Sequence, residues 1–205
     1  LLNMVNKKEM QKGKRNGIES VDYWDIMNKI YSNVQEEKIK IHKAERANLC
    51  LGMLWSNQRD EKIPPAKMEE RLNQLAPEVN KELVFKKLYT EWGIFLREQE
   101  KYQLAEEKLR EVMDIDEEDV KSRTELGKLL SRHGGSKRKE EAEKLFRQVI
   151  DDLDKENVPA RTELGMLLAG KREWAADIEA EELFKNAIEI DPYNLPPHTE
   201  LGRLL

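Results

Sequence analysis

A five-residue block recurs in this 205-residue chain and constrains its fold more than any other feature. Residues 123–127 read Arg-Thr-Glu-Leu-Gly, residues 161–165 repeat them, and residues 198–202 differ only by a histidine at the first position. A looser copy, Tyr-Thr-Glu-Trp-Gly, occupies residues 89–93, so the four glycines are 34, 38 and 37 residues apart. A nearly constant period of this length is typical of repeat architectures, in which each unit packs against the next.

A second block follows each glycine and has the spacing of an amphipathic helix. Ala142, Leu145, Phe146 and Val149 fall at positions i, i+3, i+4 and i+7, and residues 180–187 repeat this spacing. A helix pair with one apolar stripe per helix cannot bury it alone, so we predict an all-α solenoid of helix-turn-helix repeats. Glycine inside a helix costs about 1 kcal/mol relative to alanine, so its recurrence predicts a close approach of a second helix.

These recurring positions resemble the tetratricopeptide repeat (TPR) family. The family pattern has a Leu-Gly pair, a large residue three positions later, Ala-x-x-x-Phe, and a proline near the end of a period of about 34 residues. The matching positions are Leu126-Gly127, Leu164-Gly165, Leu201-Gly202, Ala142/Phe146, Ala180/Phe184 and Pro192. The resemblance covers residues 79–205 and implies a TPR-like superhelix.

The chain departs from the family pattern in two ways. The position four residues before the glycine, which is aromatic or large in the family, holds Tyr89 once and then Arg123, Arg161 and His198. The second and third repeats are also longer than the family period. We expect their extra residues to lie between the helices, and acidic and amide residues to form the turns between repeats. The extra residues are placed around 134–136 and 170–172, and the turns at 116–119, 154–157 and 191–194.

The same reasoning divides the chain into domains. Residues 1–18 are predicted to be a basic, disordered lead-in, with a basic docking tail as the alternative. Residues 19–78 are predicted to be a helical, divergent, repeat-like region that caps the solenoid, in which Leu51-Gly52 is interpreted as the Leu-Gly pair of an eroded repeat. The repeats themselves are predicted at 79–117, 118–155, 156–192 and, in part, 193–205.

Composition excludes several classes of protein. Lys and Arg number 36 against 41 Asp and Glu, and the formal charge of −5 argues against a dedicated nucleic-acid binder. The apolar runs are too short to cross a bilayer, so no membrane association is predicted. The single cysteine, Cys50, cannot form an internal disulfide, which is consistent with a reducing compartment, and we predict a cytoplasmic location.

No catalytic or metal-binding motif is found in the sequence. His42, His133 and His198 are far apart along the chain, and none of them neighbours Cys50, which is predicted to be a packed thiol. The Gly134-Gly135 pair lacks the spacing of a phosphate-binding loop. We therefore predict no enzymatic activity, no cofactor and no metal.

The remaining function is recognition of another protein. In the TPR family the first helix of each repeat lines the concave face. Counting the recurring glycine as slot eight, the residues at slots two, five, nine and twelve point into the groove. By this resemblance the partner-binding residues are Lys87, Thr90, Ile94, Arg97, Lys121, Thr124, Lys128, Ser131, Thr162, Met166, Thr199 and Arg203. Threonines flanked by Lys and Arg favour an acidic or extended peptide; an unoccupied solvated face is the alternative.

Two functional hypotheses follow. The first is a protein-interaction scaffold that binds a partner peptide or protein in the concave face and has no activity of its own. The second is a regulatory arm of a larger enzyme, for example a prokaryotic effector whose catalytic domain lies outside these residues. The absence of an initial Met and the partial last repeat suggest the second hypothesis.

Overall fold

A computed structural model describes residues 23–35, 43–60, 63–75 and 83–205, and the regular elements within these ranges are all helical. The ten α-helices are α1 Tyr23–Gln35, α2 Lys43–Asp60, α3 Pro65–Leu75, α4 Leu83–Glu98, α5 Tyr102–Ile115, α6 Val120–His133, α7 Ser136–Gln148, α8 Val158–Ala169, α9 Trp174–Ile190 and α10 Leu195–Leu204. A π-helical turn, Val149–Leu153, continues α7. The prediction of an all-α helix-turn-helix solenoid is confirmed.

The chain divides into two compact units, one up to Lys101 and one from Tyr102 onward. Unit 1 contains α1–α4 and unit 2 contains α5–α10. The predicted basic lead-in at 1–18 lies outside the described residues. The predicted boundary between residues 78 and 79 stays a prediction, since the units separate further along the chain, within the first predicted repeat.

Helix α2 is the centre of unit 1, where it contacts α1, α3 and α4. Its apolar positions Ala47, Leu51 and Leu54 are buried, as the helical spacing of these residues requires. Gly52 faces the preceding helix: a Cβ there would lie 3.1 Å from Sδ of Met27 on α1. The glycine of this region therefore packs against an earlier helix, whereas Gly127 and Gly165 of unit 2 pack against a later one.

In unit 2 the glycine of each full repeat receives a phenylalanine from the next helix. A Cβ at Gly127 on α6 would lie 2.5 Å from Cε1 of Phe146 on α7. A Cβ at Gly165 on α8 would lie 2.6 Å from Cε1 of Phe184 on α9. Both rings are fully buried, so the recurring glycine is explained by close helix packing within each pair.

The turns between repeats share one hydrogen-bond pattern. The side-chain Oδ1 of Asp116, Asp154 and Asp191 each accepts a hydrogen bond from the backbone N–H two residues later, at 3.1, 3.2 and 3.2 Å. Asp119 and Asn157 then cap α6 and α8 by accepting backbone N–H groups in the first turn, at 2.7 and 2.8 Å. These segments are turns and helix caps, as the sequence predicts.

The polar residues that lie four positions before the recurring glycine, where the family has an aromatic residue, also bind these turns. Nη2 of Arg123 donates to the carbonyl oxygen of Glu117, and Nη2 of Arg161 donates to that of Lys155. In the last repeat Nε2 of His198 lies 2.9 Å from the carbonyl oxygen of Pro192. Each side chain thus satisfies a backbone oxygen six residues earlier, which explains why polar residues replace the aromatic one.

Residues 134–135 and 170–173 lie between the helices of their pairs, as predicted, and most of the added length of repeats two and three is helical. The Gly-to-Ala spacing is 12 residues from Gly93 to Ala105 but 15 from Gly127 to Ala142. Helix α7 begins six residues before its alanine, whereas α5 begins three residues before its own. Three of the added residues are therefore a first turn added to the second helix of repeat two, and α9 is lengthened before Ala180 in the same way.

Candidate functional site

Most of the predicted partner-binding residues lie on the first helices of unit 2, which are α6, α8 and α10. Slot-two residues Lys121, Pro159 and Pro196 are exposed. At slot nine, Lys128 and Met166 are half-buried. We call the residues of slots two, nine and twelve on these helices the first-helix strip; they are Lys121, Lys128, Ser131, Pro159, Met166, Ala169, Pro196 and Arg203.

The slot-five threonines have a packing role in the described structure. Thr90, Thr124 and Thr162 are buried, and each hydroxyl donates to the backbone carbonyl four residues earlier at 2.8 Å. Thr199 makes the same bond at 3.1 Å but is exposed. All four predicted threonines thus have their hydroxyl protons committed to their own helices, and three of them are buried, so we leave them out of the first-helix strip.

The slot-nine cations of the strip have carboxylate neighbours on their own helices. Nζ of Lys128 lies 2.8 Å from Oε1 of Glu125, and Nη1 of Arg203 lies 3.1 Å from Oε1 of Glu200. In repeat three the corresponding position holds Met166, and Glu163 instead accepts a hydrogen bond from Arg132 of α6 at 2.6 Å. The positive charge that the sequence shows at slot nine is therefore balanced locally.

An open cavity of about 480 Å³ lies beside the strip, and we call it the α6–α8 cavity. Its lining includes Ser131 and Met166, two residues that the sequence predicts as partner-binding. The rest of its wall comes from the ends of α6 and α8, from the start of α7, and from the turn before α9; the charged residues there are Arg132, Lys139, Glu140, Glu143, Glu163, Lys171 and Glu173. The wall thus includes Ser136, in the turn added to α7.

The charges of the α6–α8 cavity are partly paired. Oε2 of Glu143 accepts a hydrogen bond from Lys171 at 2.8 Å, and its Oε1 accepts hydrogen bonds from Arg147 at 3.0 and 3.2 Å. Burial would raise the pKa of Glu143, but the hydrogen bonds from Lys171 and Arg147 outweigh it and hold the pKa below its ordinary value. Lys139 has no ion-pair partner among the residues that the structure describes, so it is available to a bound anion.

The predicted residues of repeat one lie on α4, in unit 1. Nζ of Lys87 lies 5.0 Å from the ring centroid of Trp55, so its charge faces an aromatic surface of its own unit. Ile94 and Arg97 are half-buried.

Cys50 and His133 are packed or stacked against other residues in the described structure. Cys50 is fully buried, and burial raises the pKa of its thiol to about 12, so it is a packed thiol as predicted. The ring of His133 stacks on Tyr102 with centroids 3.8 Å apart; His42 lies outside the described residues. Within the described ranges, no cluster of three or more His, Cys, Asp or Glu could hold a metal ion. No helix in those ranges is both long and apolar enough to cross a membrane.

Comparison with solved structures identifies the fold. MamA from Desulfovibrio magneticus RS-1, from residue 41 to its end, is 18% identical, with a TM-score of 0.61 over 78% of this chain and 83% of that one. YrrB, described as a TPR protein with an unusual peptide-binding site, is 19% identical, with a TM-score of 0.60 over 94% and 95% of the two chains. This chain has the TPR fold. The sequence matches no family model and no curated protein.

The sequence predicts two of the residues that line the α6–α8 cavity and does not predict the others. It selects Ser131 and Met166 by their slots, and the structure places both in the α6–α8 cavity. It does not select Arg132, Lys139 or Lys171, because these residues lie in and beside the segments that lengthen repeats two and three. The sequence signal that could have found these residues is the departure from the 34-residue period. Residues added at the same place in two successive repeats can build a cavity wall that the standard repeat lacks.

Proposed function

We propose that this chain is a protein-interaction scaffold that binds an extended segment of a partner protein along the first-helix strip of unit 2. The observation that carries the proposal is the meeting of the strip with the α6–α8 cavity at Ser131 and Met166. YrrB, whose fold is similar, is described as having a peptide-binding site, which supports a binding role. We further propose that the chain performs no catalysis and acts in the cytoplasm, as its motifs and its single cysteine suggest.

The polar wall of the cavity supports a segment with acidic residues. Lys139 is an exposed cation with no ion-pair partner among the described residues, and the side chain of Arg132 is 48% exposed despite its pairing with Glu163. A partner carboxylate can therefore reach both without burying an unpaired charge. Met166 supplies an apolar contact for a neighbouring side chain of the same segment, so recognition would combine one apolar anchor with charge pairing.

Selection of peptides against the purified chain tests the proposal. Extended acidic peptides selected from a display library would be measured by isothermal titration against the wild type, a Met166→Glu variant, a Lys139→Glu variant and a Lys137→Glu control. Lys137 carries the same charge as Lys139 on the same helix but does not line the cavity. We expect Met166→Glu to weaken binding about tenfold or more, because it places a charge at the apolar anchor.

Lys139→Glu should lower the affinity and flatten its dependence on salt, since the lysine acts through a screened interaction. The Lys137→Glu control should bind like the wild type. Equal affinity of the wild type and the Met166→Glu variant would remove the cavity from the proposed site.

A further inference from the structure

Unit 1 contains an open cavity of about 410 Å³, and we call it the α2–α4 cavity. Its wall comes from the end of α2, from the segment that leads into α3, and from the end of α4. A cavity of this size can hold a small ligand or a few residues of a peptide. Every described residue of its wall belongs to unit 1, so the cavity is formed by that unit alone.

The α2–α4 cavity has the same place in its repeat as the α6–α8 cavity. Each is lined by the residue five positions after the glycine of one first helix, and by the residues two and six positions after the glycine of the next. These residues are Asn57, Phe95 and Gln99 in unit 1, and Arg132, Leu167 and Lys171 in unit 2. The start of the intervening helix, α3 or α7, also contributes to the wall. Open cavities therefore recur at this place, and the chemistry of their walls distinguishes them.

The two walls differ in charge. Three cations and four carboxylates line the α6–α8 cavity, whereas Glu98 is the only charged residue among the described residues that line the α2–α4 cavity. Two amides, Asn57 and Gln99, replace the two cations at the equivalent positions. With one carboxylate and no cation in its described wall, the α2–α4 cavity favours an uncharged ligand over an acidic one.

Asn57 presents a hydrogen-bond donor to this cavity. The residue is 4% exposed, and its Oδ1 accepts a hydrogen bond from the backbone N–H of Ile63 at 2.8 Å. That bond fixes the orientation of the amide, so Nδ2 is the group left for the cavity. Nδ2 has no hydrogen bond to any residue that the structure describes. An unpaired donor on a nearly buried side chain is costly, so an acceptor that enters the cavity would be bound favourably.

The rest of the described wall is mostly apolar and has one further amide. Phe95 is 3% exposed, and Ile63 is half-buried beside Pro64 and Pro65. The side chain of Gln99 is half-buried and has no hydrogen bond to another described residue. Because a side-chain amide both donates and accepts, Gln99 can pair with either polar group of a peptide backbone.

We propose that the α2–α4 cavity is a second binding site, which takes an uncharged, extended segment of a partner protein. Nδ2 of Asn57 donates to a backbone carbonyl oxygen of the segment, and the amide of Gln99 pairs with a neighbouring backbone group. An aliphatic side chain of the segment packs against Phe95 and the two prolines. The segment must be extended, because the backbone groups inside a helix are already paired with one another.

Parallel selections from one display library of short random peptides test the proposal. The library is selected on the purified wild type, on an Asn57→Asp variant and on the Met166→Glu variant of the α6–α8 cavity. Aspartate keeps an oxygen for the N–H of Ile63 and removes the Nδ2 donor. We expect uncharged sequences with an aliphatic residue to be enriched on the wild type and on Met166→Glu, and to be lost on Asn57→Asp.

Isothermal titration of the enriched peptides gives the size of the effect. Asn57→Asp should weaken binding about tenfold or more, because an oxygen then faces the carbonyl of the peptide. Gln99→Ala should weaken binding about threefold, since it removes one neutral hydrogen bond. The control is Gln103→Ala, which changes an exposed glutamine that does not line the cavity and should bind like the wild type.

The side-chain amide of Asn57 is also a direct reporter of binding. Its signal in a nitrogen–proton correlation spectrum is assigned by its absence from the spectrum of Asn57→Asp. We expect this signal to shift as the peptide is added to the wild type, because Nδ2 gains an acceptor. Thermal melts check that each variant folds, and Gln99→Ala decides the test if Asn57→Asp is unfolded, since its side chain has no hydrogen bond to lose among the described residues.

Three results would overturn the proposal. They are a selection in which no uncharged sequence depends on Asn57 or Gln99, equal affinity of the wild type and Gln99→Ala for the enriched peptides, and an Asn57 amide signal that stays in place at saturating peptide. The proposed function fails or stands separately, because acidic peptides that are lost on Met166→Glu should bind Asn57→Asp like the wild type.

Discussion

The same five-residue block is buried in repeats two and three of unit 2 and exposed in the last repeat. In repeats two and three the block's glycine is covered by Phe146 or Phe184, and its threonine is buried. In the last repeat Gly202 and Thr199 are at the surface, although the five-residue block is almost identical. Whether the block acts as core or as surface is therefore decided by the helix that follows it.

The contrast shows what a repeat contributes by itself. A first helix with its glycine slot is only half of a packing unit, and its apolar face is buried when a second helix supplies the ring. Tests of this comparison change the same slot in a filled repeat and in the last repeat, where the two outcomes should diverge.

The largest effect is expected from removing a ring that fills a slot. Phe184→Ala should lower the free energy of unfolding by about 3–5 kcal/mol, because Phe184 is fully buried against Gly165 and truncation leaves a cavity. Tyr193→Ala is the control, since this aromatic is 93% exposed and should cost almost nothing. Urea denaturation measures both, and a loss below about 1 kcal/mol for Phe184→Ala would break the comparison.

A smaller difference is expected between the threonines. Thr162→Val removes a buried hydroxyl that bonds the carbonyl oxygen of Val158 and leaves that oxygen with one fewer donor, so it should cost about 1 kcal/mol. Thr199→Val removes the same bond at an exposed position, where water replaces it, and should be close to neutral. Equal changes in the denaturation midpoint would show that burial does not separate the two sites.

The smallest effect on stability is expected from the ion pairs of the second helices, in which Glu143 pairs with Arg147 and Lys171. The pKa of Glu143 is held below its ordinary value, so the stabilisation it gives is present above the pKa of the unfolded chain and is lost as the pH falls through the lower, folded pKa. Glu143→Gln should therefore cost up to about 1 kcal/mol at pH 7 and make stability less dependent on pH below about 4.5.

The matched variant is Glu181→Gln on α9, where Glu181 pairs with Lys185 of the same helix. Glu181 bonds one cation, whereas Glu143 bonds two, so the variant should cost less at pH 7. Thermal melts at pH 7 and pH 3.5 would measure the difference. An equal or larger loss of stability for Glu181→Gln would contradict the stabilising role of the Glu143 ion pairs.

The sequence predicted the fold of the second half well because its packing is periodic. The glycine, alanine and phenylalanine positions recur in phase in repeats two and three, and the structure repeats the Gly127–Phe146 contact at Gly165 and Phe184. Region 19–78 lacks such a repeat, and the glycine at position 52, interpreted as an eroded copy, contacts Met27 of the preceding helix instead of a residue of a following one.

The site was less predictable because exposure depends on neighbours that a slot number does not specify. Threonine is polar, yet its hydroxyl bonds its own helix and the residue packs inside, as at Thr124. The added turn of α7 could be counted from the Gly-to-Ala spacing, but its helical form required the structure.

The most direct test of the account is a matched series of alanine substitutions at Gly127, Gly165 and Gly202 of unit 2. Gly127→Ala and Gly165→Ala should each destabilise the protein by about 1–3 kcal/mol, because the new methyl group collides with a buried ring. Gly202→Ala meets nothing and should stabilise by up to about 1 kcal/mol through helix propensity. The same sign of change at all three positions in urea denaturation would contradict the claim that the slot is filled in the middle of unit 2 and open at its end.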